Sequence, residues 1–333
     1  MKINKKVTRR FIDLVLIILC LLAVANSFTF GLNFTATKKR PKPKDARIAE
    51  RLKAHVHKLS EEIGERNLDH YPKLEQAAEY IARKLEYYDY TVKFQEYFLE
   101  GKAVKNIVAR KKGSVLPDGI IVVGAHYDTV ATPGADDNAS GVAVVLELAR
   151  ILVNSPTSRS IEFCFFTCEE DPFFKTELMG SRLFVRLARA EAKNIRYAVI
   201  FDMVGYYTDK MNSQRYFPLI TGLFLPNRGN FISVFSNSRS SGLSSFLIKS
   251  FQRNSRFPIV LLATNFDPTI DFSDHWAFWK EGYPTVMVSD TSSLRNNKYH
   301  TNADTWDTLD FDSMACVVEG FSVSLLELAN RKQ

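Results

Sequence analysis

Residues 122–141 read VVGAHYDTVATPGADDNASG. The run opens as an apolar strand, then becomes a loop carrying His126, Asp128, Asp136 and Asp137 before any helix begins. Carboxylates held that close repel one another unless positive charge sits among them. A metal ion supplies such charge, and imidazole and carboxylate are both ligands that zinc accepts. Ser140 and Gly141 open a helix through Val153, with Val142, Val145, Leu146, Ala149 and Leu152 on its buried side. A continuous apolar strand followed by an amphipathic helix is the repeating unit of an α/β sheet covered on both faces.

That unit recurs along the chain. SIEFCFFT (160–167), YAVIFDM (197–203) and YPTVMVSD (283–290) read as strands. Residues 180–192 and 314–329 read as helices. Upstream, Ile48, Leu52, Val56 and Leu59 keep helical spacing, and a second helix runs over 74–87. TVKFQEY (91–97) and KNIVARKK (105–112) are short strands. The expected fold is a three-layer α/β/α domain with a mostly parallel central sheet. Residues 207–256 interrupt the rhythm with three glycines and many serines. They predict a loop with a short strand and helix, inserted beside the sheet and shaping one wall of a binding site.

The chain of 333 residues is 46% hydrophobic and 24% charged, an ordinary globular balance large enough to bury a core without disulfide staples. The net charge is +7, but Lys2, Lys5, Lys6, Arg9 and Arg10, less Asp13, supply four of those charges. The remaining +3 makes no case for nucleic-acid binding. Those five cations precede LVLIILCLLAVA (14–25), the pattern of a secretory signal peptide. The apolar character continues to Leu32, roughly 19 residues in all, long enough for an uncleaved anchor. Residues 1–32 therefore read as signal peptide or membrane anchor, with the anchor over 11–32 and any membrane contact confined to this segment. Export to a periplasmic or extracellular space is the expectation. A polar, proline-bearing linker (33–45) leads to a single domain over 46–333. Beyond Cys20, Cys164, Cys168 and Cys316 are odd in number, and as strand neighbours Cys164 and Cys168 stand about 13 Å apart. They read as small buried hydrophobes.

In an open α/β sheet, functional groups collect past the carboxyl ends of the strands. IIVVGA ends in His126, Tyr127 and Asp128 and the loop to Asp137. IEFCFFT ends in Cys168, Glu169 and Glu170, AVIF ends in Asp202, and TVMVSD leads to a loop reaching His300. Each piece alone is weak, because strand-end acids are commonly helix caps. Four strand ends that each deliver a metal-competent side chain are a stronger signal. Ser273, Asp274 and His275 are adjacent in sequence and cannot form a catalytic triad, and no Gly-x-Ser-x-Gly elbow occurs. His55, His57 and His70 read as ordinary surface or helix histidines.

GAHYDT, GADDNASG, an apolar strand into CEE, IFDMVGY, SDHWAFWKEGYP and YHTNADTWDTLD, taken in that order, resemble the M28 zinc aminopeptidases over roughly residues 104–330. The resemblance implies a phosphorylase-hydrolase-like fold holding two Zn2+. It implies Asp137 as the bridging ligand, His126 and Asp202 on one ion, and Glu170 and His300 on the other. It implies Glu169 as general base, Asp128 holding the His126 ring in its tautomer, a cis peptide at Asp137–Asn138, and Ser273–His275 as support near the site. The implied activity is removal of N-terminal residues from peptides with a free N-terminus. Glutaminyl cyclase, carboxypeptidase or dipeptidase activity on the same scaffold, and a non-catalytic receptor or adhesion domain, remain alternatives; intact ligands and Glu169 speak against the last.

The chemistry of the residue types agrees with those roles. Paired zinc ions sharing a carboxylate lower the pKa of a shared water and polarise a carbonyl. Glu169 and Glu170 are adjacent on an extended stretch, so their side chains diverge and one can bind metal while the other carries a proton. Asn138-Ala-Ser is a glycosylation sequon, but one packed beside metal ions is unusable. The family commonly joins its Glu-Glu to Gly-Ser by a short loop, whereas DPFFKTELM separates Glu170 from Gly180 here. Phe173 and Phe174 in that loop read as a specificity pocket, a lid, or packing on the body.

Overall fold

A computed structural model describes residues 40–216, 225–263 and 270–332. Residues 1–32, expected from sequence to be a signal peptide or anchor, lie outside these residues. Among the described residues no helix is long and apolar enough to cross a membrane.

Eight strands form one sheet: β1 Val92–Leu99, β2 Lys102–Lys111, β3 Leu116–His126, β4 Arg159–Phe166, β5 Asn194–Phe201, β6 Ile232–Ser236, β7 Ile259–Ala263 and β8 Thr285–Ser289. Their order across the sheet is β1-β2-β4-β3-β5-β8-β6-β7. The centre, β4-β3-β5-β8, is parallel. The flanks are mixed: β2 runs antiparallel to β4, and β6 antiparallel to β8. The β1–β2 pairing is antiparallel because Glu100 and Gly101, both at positive φ, close a two-residue turn.

The helices are α1 Ala46–His57, α2 Tyr71–Tyr87, α3 Gly141–Leu152, α4 Gly180–Ala190, α5 Ser241–Asn254, α6 His275–Lys280 and α7 Phe311–Ala329. Alternation along the central strands divides the core into two layers. Ile121 and Val123 of β3, Phe163 and Phe165 of β4, and Val199 and Phe201 of β5 face the layer built by α1, α2, α3, α5 and α7. Ile120 and Val122, Cys164 and Phe166, and Ala198 and Ile200 face α4 and α6. Burial on both faces explains why these strands are continuously apolar in sequence.

Two expectations change. Residues 207–256 do supply a strand and a helix, β6 and α5, but β6 joins the sheet rather than lying beside it. With β7 it makes the far edge. The end of the proposed linker is also fastened to the domain. Arg40 pairs with Asp209 (3.2 Å) and Asp310, Lys42 with Asp312, and the Asp45 side chain caps α1. Cys164, Cys168 and Cys316 are free and buried.

Candidate metal centre

Parallel strands in register end together, so their following residues converge. His126 closes β3 opposite Phe166 of β4. Past β4 the chain turns through Cys168 at φ 54° into Glu169 and Glu170, and past β5 it places Asp202 just before Met203 at φ 52°. The loop after β8 returns His300 at φ 56°. Between β3 and α3, Asp137 sits in a tight turn whose Asp137–Asn138 peptide is cis, the form implied by the family resemblance. Asn138 fixes that turn: its amide donates to the Phe201 carbonyl (2.9 Å), and its oxygen accepts from Gly141 N (3.0 Å) and Met203 N (3.1 Å). Gly141 is required here, because a Cβ would come within 2.5 Å of the Phe201 carbonyl oxygen. Asn138 is fully buried, so its sequon is shielded.

Asp137 faces two imidazoles with different oxygens. Its Oδ1 lies 3.2 Å from His126 Nε2 and its Oδ2 3.1 Å from His300 Nε2. Asp202 Oδ1 is 3.6 Å from His126 Nε2, and Glu170 Oε2 is 3.3 Å from His300 Nε2. The ligand atoms thus form two compact groups, His126–Asp137–Asp202 and Asp137–Glu170–His300, sharing Asp137. Glu169 joins His126 and Glu170 in a third group of the same compactness. All are buried except His300, whose side chain is 35% exposed.

The electrostatics call for cations. Burial works against a charged His126, but Glu169, Asp128, Asp137 and Asp202 outweigh it and hold the imidazolium well above the usual histidine range. His300 likewise overcomes its burial through Asp137 and Glu170 and rises to about 10. Burial first, then Asp137, pushes Glu170 up to about 7. Asp202 Oδ1 and Glu170 Oε1 are buried without a hydrogen-bond donor. A set of two imidazoles and three carboxylates with orphaned oxygens fits divalent metal such as zinc.

Asp128 does more than face the His126 ring. Its carboxylate accepts from the amides of Glu169 (3.1 Å) and Glu170 (3.2 Å), fixing both glutamates. The nearer acceptor for His126 Nδ1 is the Asp128 carbonyl at 3.2 Å, with the carboxylate at 3.6 Å. Ser273, Asp274 and His275 form no triad: the His275 ring bonds the Ile270 carbonyl (2.6 Å), and burial lowers its pKa to about 4. His57 and His70 lie at the surface, whereas His55 is buried between Tyr80 and Tyr88.

Two supports had no reading in the sequence. Asp304 accepts from the amides of Asp136 (2.9 Å) and Asp137 (3.1 Å), holding the shared ligand from beneath. Its only signal is its place four residues after His300. Arg66 is fully buried and donates to the carbonyls of Leu59, Gly64, Tyr127, Pro133 and Gly134. It ties both ends of the loop between His126 and Asp137, from a position sixty residues away in sequence.

Residues 106–323 match the model of Peptidase family M28. The chain belongs to that family. It is 34% identical to Uncharacterized protein YfbL of Escherichia coli (strain K12) over 81% of this chain and 85% of that protein. It is 28% identical to Leucine aminopeptidase 1 of Pyrenophora teres f. teres (strain 0-1) over 59% of this chain, spanning 49% of that relative. Among solved structures, the zinc aminopeptidase BSAP from Bacillus subtilis superposes with a TM-score of 0.68 at 17% identity, covering 89% of this chain and 97% of that one. At that identity the likeness shows the α/β fold. Membership in the M28 peptidases and the presence of aminopeptidases among its relatives make a metallopeptidase class the frame for the site.

Proposed function

We propose that this M28 peptidase is an exported two-zinc aminopeptidase. The observation that carries the reading is the pair of ligand groups meeting at Asp137. His126 and Asp202 would hold one ion, Glu170 and His300 the other, with Asp137 between them. Zinc bound there supplies positive charge that acidifies a water and polarises the scissile carbonyl. The chain's own residues do the rest. Glu169, buried beside His126 and Glu170, accepts a proton from the attacking water at its carboxylate. It then returns that proton to the leaving amine nitrogen. Asp128 keeps Glu169 and Glu170 in place through their amides. Peptides with a free N-terminus are the substrates, and residues 1–32 direct export as a cleaved signal or a retained anchor.

A panel of aminoacyl chromogenic substrates, with and without an N-terminal block and with and without chelator, tests the activity. Hydrolysis of free but not blocked substrates, abolished by chelator, is expected, with elemental analysis finding up to two zinc ions per chain. A metal-free active protein overturns the reading. Ammonia release from N-terminal glutamine without hydrolysis replaces it with cyclisation. Cell fractionation tests export.

A further inference from the structure

A cavity of about 250 Å3 opens beside Glu170. It lies between the segment after Arg66, the β1–β2 turn, the loop after His126 and the stretch following β4. Leu68, Leu74, Val130, Ala131 and Phe173 give it apolar walls. Phe173 also packs on the core, whereas Phe174 does not line the cavity and lies against the Lys175 ammonium. Asp69, Glu100 and Asp171 add three exposed carboxylates to the lining. Glu170 lines it too, buried and with Oε1 unpartnered.

No lysine, arginine or histidine among the described residues lines this cavity. Among the described residues, Asp69, Glu100 and Asp171 enter no ion pair and no hydrogen bond through their carboxylates, whereas Glu75, Glu147, Glu177 and Glu281 each hold a cation. The Lys102 ammonium is spent on the carbonyl of Leu68, one of the lining residues, at 2.7 Å. Apolar walls with unpaired anions are the complement of an aliphatic stem that ends in a cation. A bare α-amine would leave the apolar walls unused, and a wholly apolar side chain would bury itself among carboxylates with nothing to offer them.

Resting on the aminopeptidase reading, we infer that this cavity takes the side chain of a lysine or arginine flanking the scissile bond and makes the enzyme selective for basic residues. Norleucine matches the lysine stem without its charge and is the control.

The test compares kcat/KM for lysyl, arginyl and norleucyl residues placed on either side of the cleaved bond. A preference of about fivefold or more for the basic residue at one position, shrinking as salt is raised, is expected. Asp69→Asn with Glu100→Gln removes that preference, so that the lysyl and arginyl kcat/KM fall to within about twofold of the norleucyl value of the same variant. Equal rates at both positions overturn the inference while leaving the aminopeptidase reading intact. Calorimetry of lysinamide against norleucinamide on the full chain, metal-loaded and metal-free, is read independently of turnover. Tighter lysinamide binding, lost in the double variant, supports the site even if no peptide is cleaved, in which case the proposed function is what falls. Equal binding of the two amides overturns it.

Discussion

Glu169 lies buried within ligand distance of His126 and Glu170, with its backbone amide held by Asp128. A side chain so placed is positioned to move a proton and is not needed in either group that shares Asp137. Glu169→Gln should therefore keep its metal content and its fold while losing about 10²–10⁴ in kcat, the usual worth of a general base; elemental analysis beside steady-state kinetics checks both halves, and a variant within a few-fold of the parent removes the assigned role. Arg66 makes the opposite kind of case. Its guanidinium serves five carbonyls, so Arg66→Met strands buried acceptors on both ends of the metal loop. A loss of at least about 3 kcal/mol is expected from urea unfolding, since bonds to charged donors are worth more than neutral ones. The contrast shows what is legible at this scale. His126, Asp137, Glu169, Glu170, Asp202 and His300 could be picked out because zinc chemistry limits residue type and sheet topology limits position. Arg66 could not, because its partners are backbone carbonyls, and every residue has one.

At the scale of elements, legibility followed burial. β3, β4, β5 and β8 are covered on both faces and announce themselves as apolar runs. β7 is five residues, IVLLA, and a run that short carries no period that separates strand from buried helix. β6 was readable as a strand but not as a member of the sheet, because its pairing with β8 is set by tertiary contacts. His55 shows the same limit on α1: helical spacing places it, but only the packing of α2 buries it against Tyr80 Oη (2.6 Å from Nδ1). Burial, aided by Lys84, Arg51 and Arg150, lowers its pKa to about 3. Glu147 lies 3.9 Å away but is already paired with Arg51 and Arg150, so it does not rescue the proton. The sign follows from linkage. The unfolded chain takes up this proton near pH 6.5 and the folded one does not, so stability is full above 6.5 and drains as pH falls toward 3. At about 1.4 kcal/mol per pH unit, this group alone costs about 2 kcal/mol between pH 7 and 5. Urea unfolding at the two pH values should show His55→Gln with a shallower loss than the parent; equal slopes exclude the buried neutral imidazole.

Across the whole molecule, one rim of one sheet gathers charge that the fold alone does not balance. Three parallel strand ends and the Asp137 turn bring carboxylates together, and the long loop after β8 closes the set with His300. Protons on His126 and His300 can stand in for cations, yet Asp202 Oδ1 and Glu170 Oε1 still find no donor. The rim is thus built at a cost that a bound cation offsets, and ligand binding to the folded state alone adds stability by mass action. Zinc at about a thousand times its dissociation constant adds about 4 kcal/mol per site, and for a chain this large, with an unfolding entropy of about 2.1 cal/mol/K per residue, each kcal/mol moves Tm by about 1.4 °C. Chelation should therefore lower Tm by roughly 10 °C or more when both positions are emptied, with recovery on adding zinc back. His126→Ala, which strips one group and leaves Asp137, Glu170 and His300, should respond to zinc with about half that shift. Thermal unfolding monitored during a zinc titration separates the outcomes: a parent indifferent to chelator and zinc has no metal at this rim, and a His126→Ala protein with the full parental shift has only the second ion.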